Sequence, residues 1–165
     1  MKPVRLLLVT LVLAFATAAL AKLHVDFDEK ADFSNYKTYA WRKGTPAHDP
    51  FMQQHIERAV DDQLQAKGLT KAAGTPDLYV VTHAATKEKK YTSYVNLGYS
   101  NPLDEVEMTQ VIDIGTLRVE LVDAKSKRVV WRAVATKSLS QKPEKNKKLI
   151  DKYTKKMFKH FPPRR

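Results

Sequence analysis

Apolar and polar positions alternate near the start of the chain, and the alternation predicts strands. Over residues 24–28, Val25 and Phe27 fall on one side of an extended segment and two aspartates on the other, as in a half-buried strand. Residues 36–41 are rich in aromatic and β-branched types, which fit a pleated sheet. We therefore predict two strands before the glycine and prolines at 44–50 break the pattern.

A helical period follows this break. Asp49 can accept orphan amide hydrogens at the start of a helix, and Pro50 loses nothing in the first turn. Gly68 suits the left-handed conformation that ends many helices, and we expect Leu69 to fold back onto the last turn. Apolar residues recur at helical spacing between these ends, at Ile56, Ala59, Val60 and Leu64.

Three further strands are predicted in the second half of the chain. The run 78–85 has few polar interruptions, which predicts a strand in the middle of a sheet. Residues 115–122 and 129–136 both alternate, and the short polar segment between them predicts an antiparallel hairpin. The segment 87–110 has no clear pattern, and its part 91–102 suits a long mobile loop or an irregular hairpin.

A basic amphipathic helix is predicted from about Pro143 to His160. The element order β-β-α-β-β-β-α then predicts an α+β fold, with two helices packed on one face of a mainly antiparallel β-sheet. The apolar stripe of the last helix consists of Leu149, Ile150, Tyr153 and Met157. On its other side, lysines recur at steps of three and four, at Lys145, Lys148, Lys152, Lys155 and Lys159.

The first 21 residues have the character of a cleavable secretory signal. Two basic residues precede an apolar run, and Ala19 and Ala21 form a small-x-small cleavage site. The run from Leu6 to Ala21 spans 16 residues, whereas a membrane-spanning helix needs roughly 20. We therefore expect cleavage between Ala21 and Lys22, no transmembrane anchor after processing, and one domain over residues 22–165.

Charge is distributed unevenly over the 165 residues, whose formal net charge is +11. Residues 125–165 contain 15 basic residues against Glu144 and Asp151, whereas residues 22–123 contain 12 basic and 16 acidic residues. A lysine-rich helix can bind an anionic surface, since each charge contributes about 1 kcal/mol near a negatively charged membrane. The alternative is a solvated face that only keeps the domain soluble.

No residue pattern predicts a catalytic, metal or cofactor site. The sequence contains no cysteine, which excludes thiol nucleophiles, thiolate metal sites and cysteine-linked lipids. The acidic residues within 26–32 lack the spacing of a calcium loop, because Lys30 stands where that loop needs Asp or Asn. The five histidines form no pair at metal-ligand spacing. Neither a Gly-x-Ser-x-Gly elbow nor a glycine-rich phosphate loop is present, and adjacent Asp61 and Asp62 would point in different directions on a helix.

Aromatic residues fall into two groups. Trp41 and Trp131 lie within strand patterns, where burial of large rings contributes most to a small core. Tyr91, Tyr94 and Tyr99 lie in the predicted loop and are candidates for a recognition surface. Local packing of these three rings is the alternative.

Several sequence blocks, taken in order along the chain, carry a resemblance to a known family. They are DFSNYKTYAW at 32–41, the pattern of the first helix through Lys67-Gly68-Leu69, Pro76-Asp77-Leu78, GTLRVELVD at 115–123, Val130-Trp131-Arg132 and Phe161-Pro162-Pro163. In these blocks the chain resembles domain of unknown function 4136, a bacterial envelope family whose members are mostly predicted lipoproteins. The resemblance implies a Gram-negative envelope location and a compact α+β domain, and it supplies no reaction. A typical member has a lipid-accepting cysteine after its signal, and Lys22 occupies that place here, which argues against an acyl anchor.

Together these features predict an exported protein of the periplasm or the extracellular space. We expect a non-catalytic binding or structural module of the cell envelope, without a cofactor, whose partner is an anionic envelope component or another envelope protein. The five lysines and the tyrosine loop are its predicted contact surfaces; nucleic acid is not expected as a partner, because an exported protein does not normally meet it. The alternative is a periplasmic hydrolase or another enzyme whose site is assembled only in three dimensions. A deep pocket with convergent titratable groups would favour the enzyme, and an open basic face would favour binding.

Overall fold

Six strands and two α-helices account for most of the computed structural model, which describes residues 22–96 and 105–163. The helices are α1, Pro50–Ala66, and α2, Pro143–Met157. The strands are β1, Lys22–Phe27; β2, Thr38–Trp41; β3, Thr70–Lys71; β4, Leu78–Asn96; β5, Glu105–Asp123; and β6, Val129–Ser138. They form one sheet in the order β1-β6-β5-β4-β2-β3. Neither helix of the described ranges has the length and apolar character that crossing a bilayer requires.

The sheet is mixed, because β2 runs parallel to both of its neighbours, β3 and β4, while the other pairs are antiparallel. The prediction of a mainly antiparallel sheet therefore needs correction. The predicted element order also lacked β3, whose two residues follow α1 and pair with Thr38 and Tyr39. The helix α1 carries the chain from the end of β2 back toward the start of β4, so β4 runs in the same direction as β2. A two-residue strand is too short to give an alternation signal.

One apolar face of the sheet carries the core. Leu121 of β5 lies opposite Val80 of β4 and Trp131 of β6, and all three side chains are buried. Residues of both helices and of the turn after α2 join this cluster, namely Val60, Leu64, Met157 and Phe158. The helices therefore lie on one face of the sheet, as predicted.

Both ends of α1 follow the predicted capping chemistry. The Asp49 carboxylate accepts a hydrogen bond from the Phe51 amide at 2.8 Å, and Pro50 occupies the first turn. At the other end Gly68 adopts a φ of 84°, in the left-handed region. The Leu69 amide donates to the Leu64 carbonyl at 3.0 Å, and the Leu69 side chain is buried against the core.

The segment without a clear pattern forms the ends of two long strands. β4 and β5 pair in one antiparallel register from Leu78–Asp123 to Asn96–Glu105. Of the two alternatives predicted for residues 91–102, the mobile loop is wrong for residues 91–96, which belong to β4 and pair antiparallel with β5 as the hairpin alternative expected. Residues 97–104 lie outside the described part of the chain. At 87–94 and 107–110, polar and apolar residues alike are exposed, so no half-buried alternation marks these parts of the strands.

The outer part of this pair extends past the rest of the sheet. Pairing of β6 with β5 ends at Ile114, and the last backbone contact on the other side of β4 is made by Ala84. Beyond these points, β4 and β5 pair only with each other within the described ranges. We call residues 86–96 of β4 and 105–113 of β5 the arm, and the part that other elements cover, 78–84 with 117–123, the base.

Candidate functional site

The predicted lysine stripe is present on α2 and on the 3-10 turn that follows it, Phe158–His160. On the other side of this helix Met157 and Phe158 are fully buried, and Tyr153 is partly buried. The amphipathic arrangement is therefore confirmed. All five predicted lysines are exposed, and we call them the lysine face: Lys145, Lys148, Lys152, Lys155 and Lys159.

Contacts at both ends fix the position of α2. The Asn146 side chain both donates to the Ser140 carbonyl and accepts from the Ser140 amide, each at 2.8 Å, which anchors the loop before the helix. At the other end, Met157 and Phe158 are buried in the core cluster. The lysine face is thus displayed on a backbone that is held at both ends.

The acidic groups of α2 are already paired with other side chains. Glu144 accepts a hydrogen bond from Lys147 at 2.9 Å, and Asp151 lies 2.7 Å from Nε2 of His55, which links α2 to α1. Across the described ranges, no carboxylate forms an ion pair with any lysine of the lysine face. Like charges three and four residues apart on a helix repel. An anion that approaches this face would relieve the repulsion.

The predicted tyrosine loop is not a loop where the structure describes it. Tyr91 and Tyr94 lie on β4 in the arm, with 42% and 65% of their surface exposed. They are three residues apart on a strand and therefore point to opposite faces. Lys89 lies over the Tyr91 ring, with its ammonium 4.7 Å from the ring centre. Because they face opposite sides of the arm, Tyr91 and Tyr94 do not lie on one surface. Tyr99, the third tyrosine of the prediction, lies outside the described residues.

The predicted cleavage site spans the edge of the described range. Ala21 lies outside it, and Lys22 is the first residue of β1, opposite Thr136 of β6. Cleavage after Ala21 stays a prediction.

The acidic residues near the start of the chain have protein partners. Arg132 donates to Asp26 at 2.8 Å, and this hydrogen bond is the largest cause that lowers the pKa of Asp26. Asp28 lies 3.4 Å from Arg128, and Asp32 caps the 3-10 turn Phe33–Asn35. In the part of the chain that the structure describes, no group of three His, Asp or Glu side chains is placed to hold a metal ion.

Asp61 is a junction that sequence reasoning did not identify. Its carboxylate accepts hydrogen bonds from the Tyr39 hydroxyl and the Trp41 indole, both at 2.9 Å, and lies 2.7 Å from the Lys71 ammonium. Burial, and then the hydrogen bond to Asp61, raises the pKa of Tyr39 to about 12. Three donors from β2 and β3 thus converge on one carboxylate of α1. Asp62 is exposed and does not share this environment, so the two aspartates do not act as a dyad.

A hydroxyl, an imidazole and a carboxylate also come together on the other face of the sheet. The Thr45 hydroxyl lies 2.9 Å from Nδ1 of His83, and Nε2 of His83 lies 3.8 Å from Glu120. The Thr45 amide donates to the same Nδ1 at 3.2 Å, and Glu120 also pairs with Arg118 at 3.4 Å. The imidazole therefore fastens the segment after β2 to β4, and 3.8 Å is too long for a hydrogen bond.

An apolar groove lies between the helices and the sheet, where the base meets the arm. Its volume is about 140 Å³, and its walls include Met52, Ile56, Leu117, Leu139, Leu149 and Tyr153. Two of these residues, Leu149 and Tyr153, come from the helix that carries the lysine face. Among the described residues that line it, the titratable side chains are Lys137 and Tyr153, and the rest of the wall is mainly apolar.

Comparison with known proteins gives a family and several solved structures that match part or most of the chain. The family model described as domain of unknown function (DUF4136) matches residues 23–163. No curated protein matches the sequence. Among solved structures, a PDZ domain protein from Parabacteroides distasonis is 18% identical with a TM-score of 0.60; the match covers 87% of this chain and 36% of that protein, so the chain spans about a third of its length.

Two more solved structures have lower TM-scores. A PelC variant dodecamer from Paraburkholderia phytofirmans is 16% identical with a TM-score of 0.49, and the match covers 81% of this chain and 94% of that one. A minor lipoprotein from Acinetobacter baumannii is 13% identical with a TM-score of 0.41, covering 76% of this chain and 91% of that one. At these identities only the Parabacteroides match, with its higher TM-score, informs the fold.

Proposed function

Because this chain belongs to the domain of unknown function 4136 family, we propose that it is an exported, non-catalytic binding module of the bacterial cell envelope. Its partner is an anionic envelope component, such as an acidic phospholipid or lipopolysaccharide. The lysine face is the contact surface. Export is supported by the leader-like residues 1–21, with small residues at Ala19 and Ala21.

The observation that carries this proposal is the set of five exposed lysines without acidic partners among the described residues. Such a surface is open to an external anion, because no carboxylate of the described residues pairs with it. Each charge contributes about 1 kcal/mol near an anionic surface, so the face supplies a few kcal/mol. That corresponds to a dissociation constant of roughly millimolar to high micromolar, which is a weak and reversible contact.

The described side-chain clusters support binding more than catalysis. The Asp61 carboxylate already binds the Tyr39 hydroxyl, the Trp41 indole and the Lys71 ammonium. The His83 imidazole is bonded to Thr45 on the sheet face opposite the helices. The groove beside α2 is apolar. An apolar groove next to a cationic face suits an amphiphilic ligand better than a hydrolytic reaction.

Vesicle co-sedimentation tests the contact surface. We expect replacement of Lys148, Lys152 and Lys155 by Gln to weaken retention on vesicles that contain phosphatidylglycerol, most clearly at low salt, because surface charges are screened within about 10 Å at 0.1 M salt. Circular dichroism would check that the fold is intact.

A matched control removes the same charge elsewhere. Lys30, Lys43 and Arg58 are exposed and lie off the lysine face, so their replacement by Gln should leave retention largely unchanged. Equal retention of wild-type protein and the lysine-face variant at low salt would contradict the proposal. Loss in both variants would indicate net charge rather than one surface.

Cell fractionation tests export separately. We expect the protein in the soluble periplasmic fraction with Lys22 as its first residue. Finding the uncleaved chain in the cytosol would refute this part of the proposal and leave the vesicle result unaffected.

A further inference from the structure

The two long strands have open edges along the arm. On β4 the last backbone contact outside the β4–β5 ladder is the hydrogen bond from the Ala84 amide to the Thr45 carbonyl, at 2.9 Å. On β5 the corresponding last contact is the Asp113 carbonyl, which accepts from the Leu139 amide at 2.7 Å. Backbone groups of alternate residues point to the same edge of a strand. From Thr86 outward, every second residue of β4 therefore points its N–H and C=O away from β5.

An exposed strand edge is a template for pairing with another chain. Along each strand of the arm, the edge opposite the ladder has no partner strand within the described ranges. The arm residues 86–94 and 107–111 are exposed on both faces. They include large apolar side chains, among them Met108 with 56% and Val111 with 50% of their surface exposed.

The two edges carry opposite charges. β4 bears Lys87, Lys89 and Lys90 beside one acidic residue, Glu88, whereas β5 bears acidic side chains and no basic residue between 107 and 113. None of these lysines forms an ion pair with a described carboxylate. The β4 edge is thus basic and the β5 edge acidic.

Charge pairing inside the arm is unfavourable at one position. Glu88 lies directly opposite Asp113 in the β4–β5 ladder, and like charges directly opposite each other destabilise a strand pair. Glu88 therefore does not neutralise the acidic charge of β5.

We propose that the arm is an interface between copies of this chain, in which the β4 edge of one copy pairs antiparallel with the β5 edge of the next. In one such register Thr92 lies opposite Val111 of the next copy, so pairing involves only the outer part of the arm, beyond Asp113, whose carbonyl already accepts from Leu139. Pairing of two β4 edges would instead bring lysines together, and pairing of two β5 edges would bring carboxylates together. Charge therefore selects a head-to-tail contact, which propagates from copy to copy. This interface is independent of the lysine face and goes beyond the proposed function.

Charge reversal tests this interface in the purified full chain. One variant replaces Lys87, Lys89 and Lys90 by Glu, and the other replaces Glu107 and Asp113 by Lys. In the first variant both edges of the arm are acidic, and in the second both are basic, so we expect each alone to sediment as a monomer. A 1:1 mixture restores opposite charges at every contact and should assemble like the wild-type protein, more strongly at low salt.

The outcomes separate the occupants of the edge. Assembly of the mixture, with monomers of each variant alone, supports the interface; the Lys148, Lys152 and Lys155 to Gln variant should assemble like wild type. A wild-type protein that stays monomeric at high concentration and low salt would overturn the proposal. In that case the β4 edge either pairs with a strand of a different protein, or its lysines prevent edge-to-edge pairing.

Crosslinking gives a second test that does not alter charge. The chain contains no cysteine, so Thr92→Cys and Val111→Cys each create a unique thiol, on β4 and β5 respectively. Under mild oxidation, mixed chains of different tag length should form disulfide-linked heterodimers, whereas either variant alone should form few, because equivalent positions of neighbouring copies are two strands, roughly 10 Å, apart and a disulfide does not span that distance. Disulfide dimers of Thr92→Cys alone that equal the heterodimers would contradict head-to-tail pairing.

Discussion

The base and the arm belong to the same two strands, yet they are stabilised in different ways. In the base, Val80, Val119 and Leu121 are fully buried beneath the helices. In the arm, the backbone ladder continues without a covering layer, supported by contacts such as the one between the Thr92 and Thr109 hydroxyls at 3.5 Å. Burial is the dominant favourable term in folding. The comparison shows that stability is concentrated in the base, so the arm's sequence is free to serve contacts with other molecules.

The largest expected effect is in the base, at Trp131. Its ring is 1% exposed and lies 4.7 Å from the Phe158 ring and 5.6 Å from the Phe161 ring, measured between centres. We expect Trp131→Ala to lower the free energy of unfolding by about 3–5 kcal/mol, because it removes buried surface and leaves a cavity. Urea denaturation followed by circular dichroism measures this change. A loss below about 1 kcal/mol, the size of an ordinary substitution, would remove the distinction between the two regions.

The Asp61 junction should give the next largest effect. Asp61→Ala leaves the Tyr39 hydroxyl and the Trp41 indole without this acceptor, and unsatisfied buried donors cost about 1–3 kcal/mol each. The same replacement at exposed Asp62 is the control and should change stability by less than about 0.5 kcal/mol. Similar losses from the two variants would show that helix propensity, rather than the junction, sets the cost.

A smaller, pH-dependent effect is expected at Asp77, at the start of the base. The backbone amide of Lys37, followed by the Thr38 hydroxyl and amide, donates hydrogen bonds that hold the pKa of Asp77 below its usual range. A carboxyl whose pKa is lowered by folding contributes stability above its unfolded pKa of about 3.9 and loses it as the pH falls. Urea midpoints measured from neutral pH down through this range should therefore fall more steeply for wild type than for Asp77→Asn. Parallel curves would contradict this role.

The smallest effect is expected in the arm. Met108 is 56% exposed, and Met108→Ala should change the free energy of unfolding by less than about 0.5 kcal/mol at low protein concentration. Urea denaturation at two protein concentrations would measure it. A larger loss at high concentration alone would sharpen the comparison, because it would indicate that assembly buries the arm. A large loss at both concentrations would mean that the arm is covered in the monomer.

The sequence predicted the elements whose signals are local. Asp49 and Gly68 marked the ends of α1 because capping depends on a single residue and its neighbours. The alternation of Leu117, Val119 and Leu121 marked the buried face of β5. The parallel pairing of β2 with β4 could not be predicted in this way, because it joins residues that are separated along the chain by the whole of α1.

The arm and the candidate clusters were missed for related reasons. Lys87 and Lys89 alternate with residues that are also exposed, so the arm has no half-buried face for a pattern to reveal. Asp61 gathers donors from β2 and β3, and no spacing in the sequence brings Trp41 and Lys71 to one carboxylate. The lysine face was found, because its spacing of three and four residues lies within one helix.

The continuity of β5 also has a mechanical consequence. Val111 in the arm and Val119 in the core are joined by a single extended backbone, with unbroken pairing to β4 on one side. A force applied near the outer end of the arm is therefore transmitted along peptide bonds into the hydrophobic centre of the protein, without a hinge to absorb it. The arm is therefore rigidly coupled to the core, and bending it would strain the packing around Leu121 and Trp131.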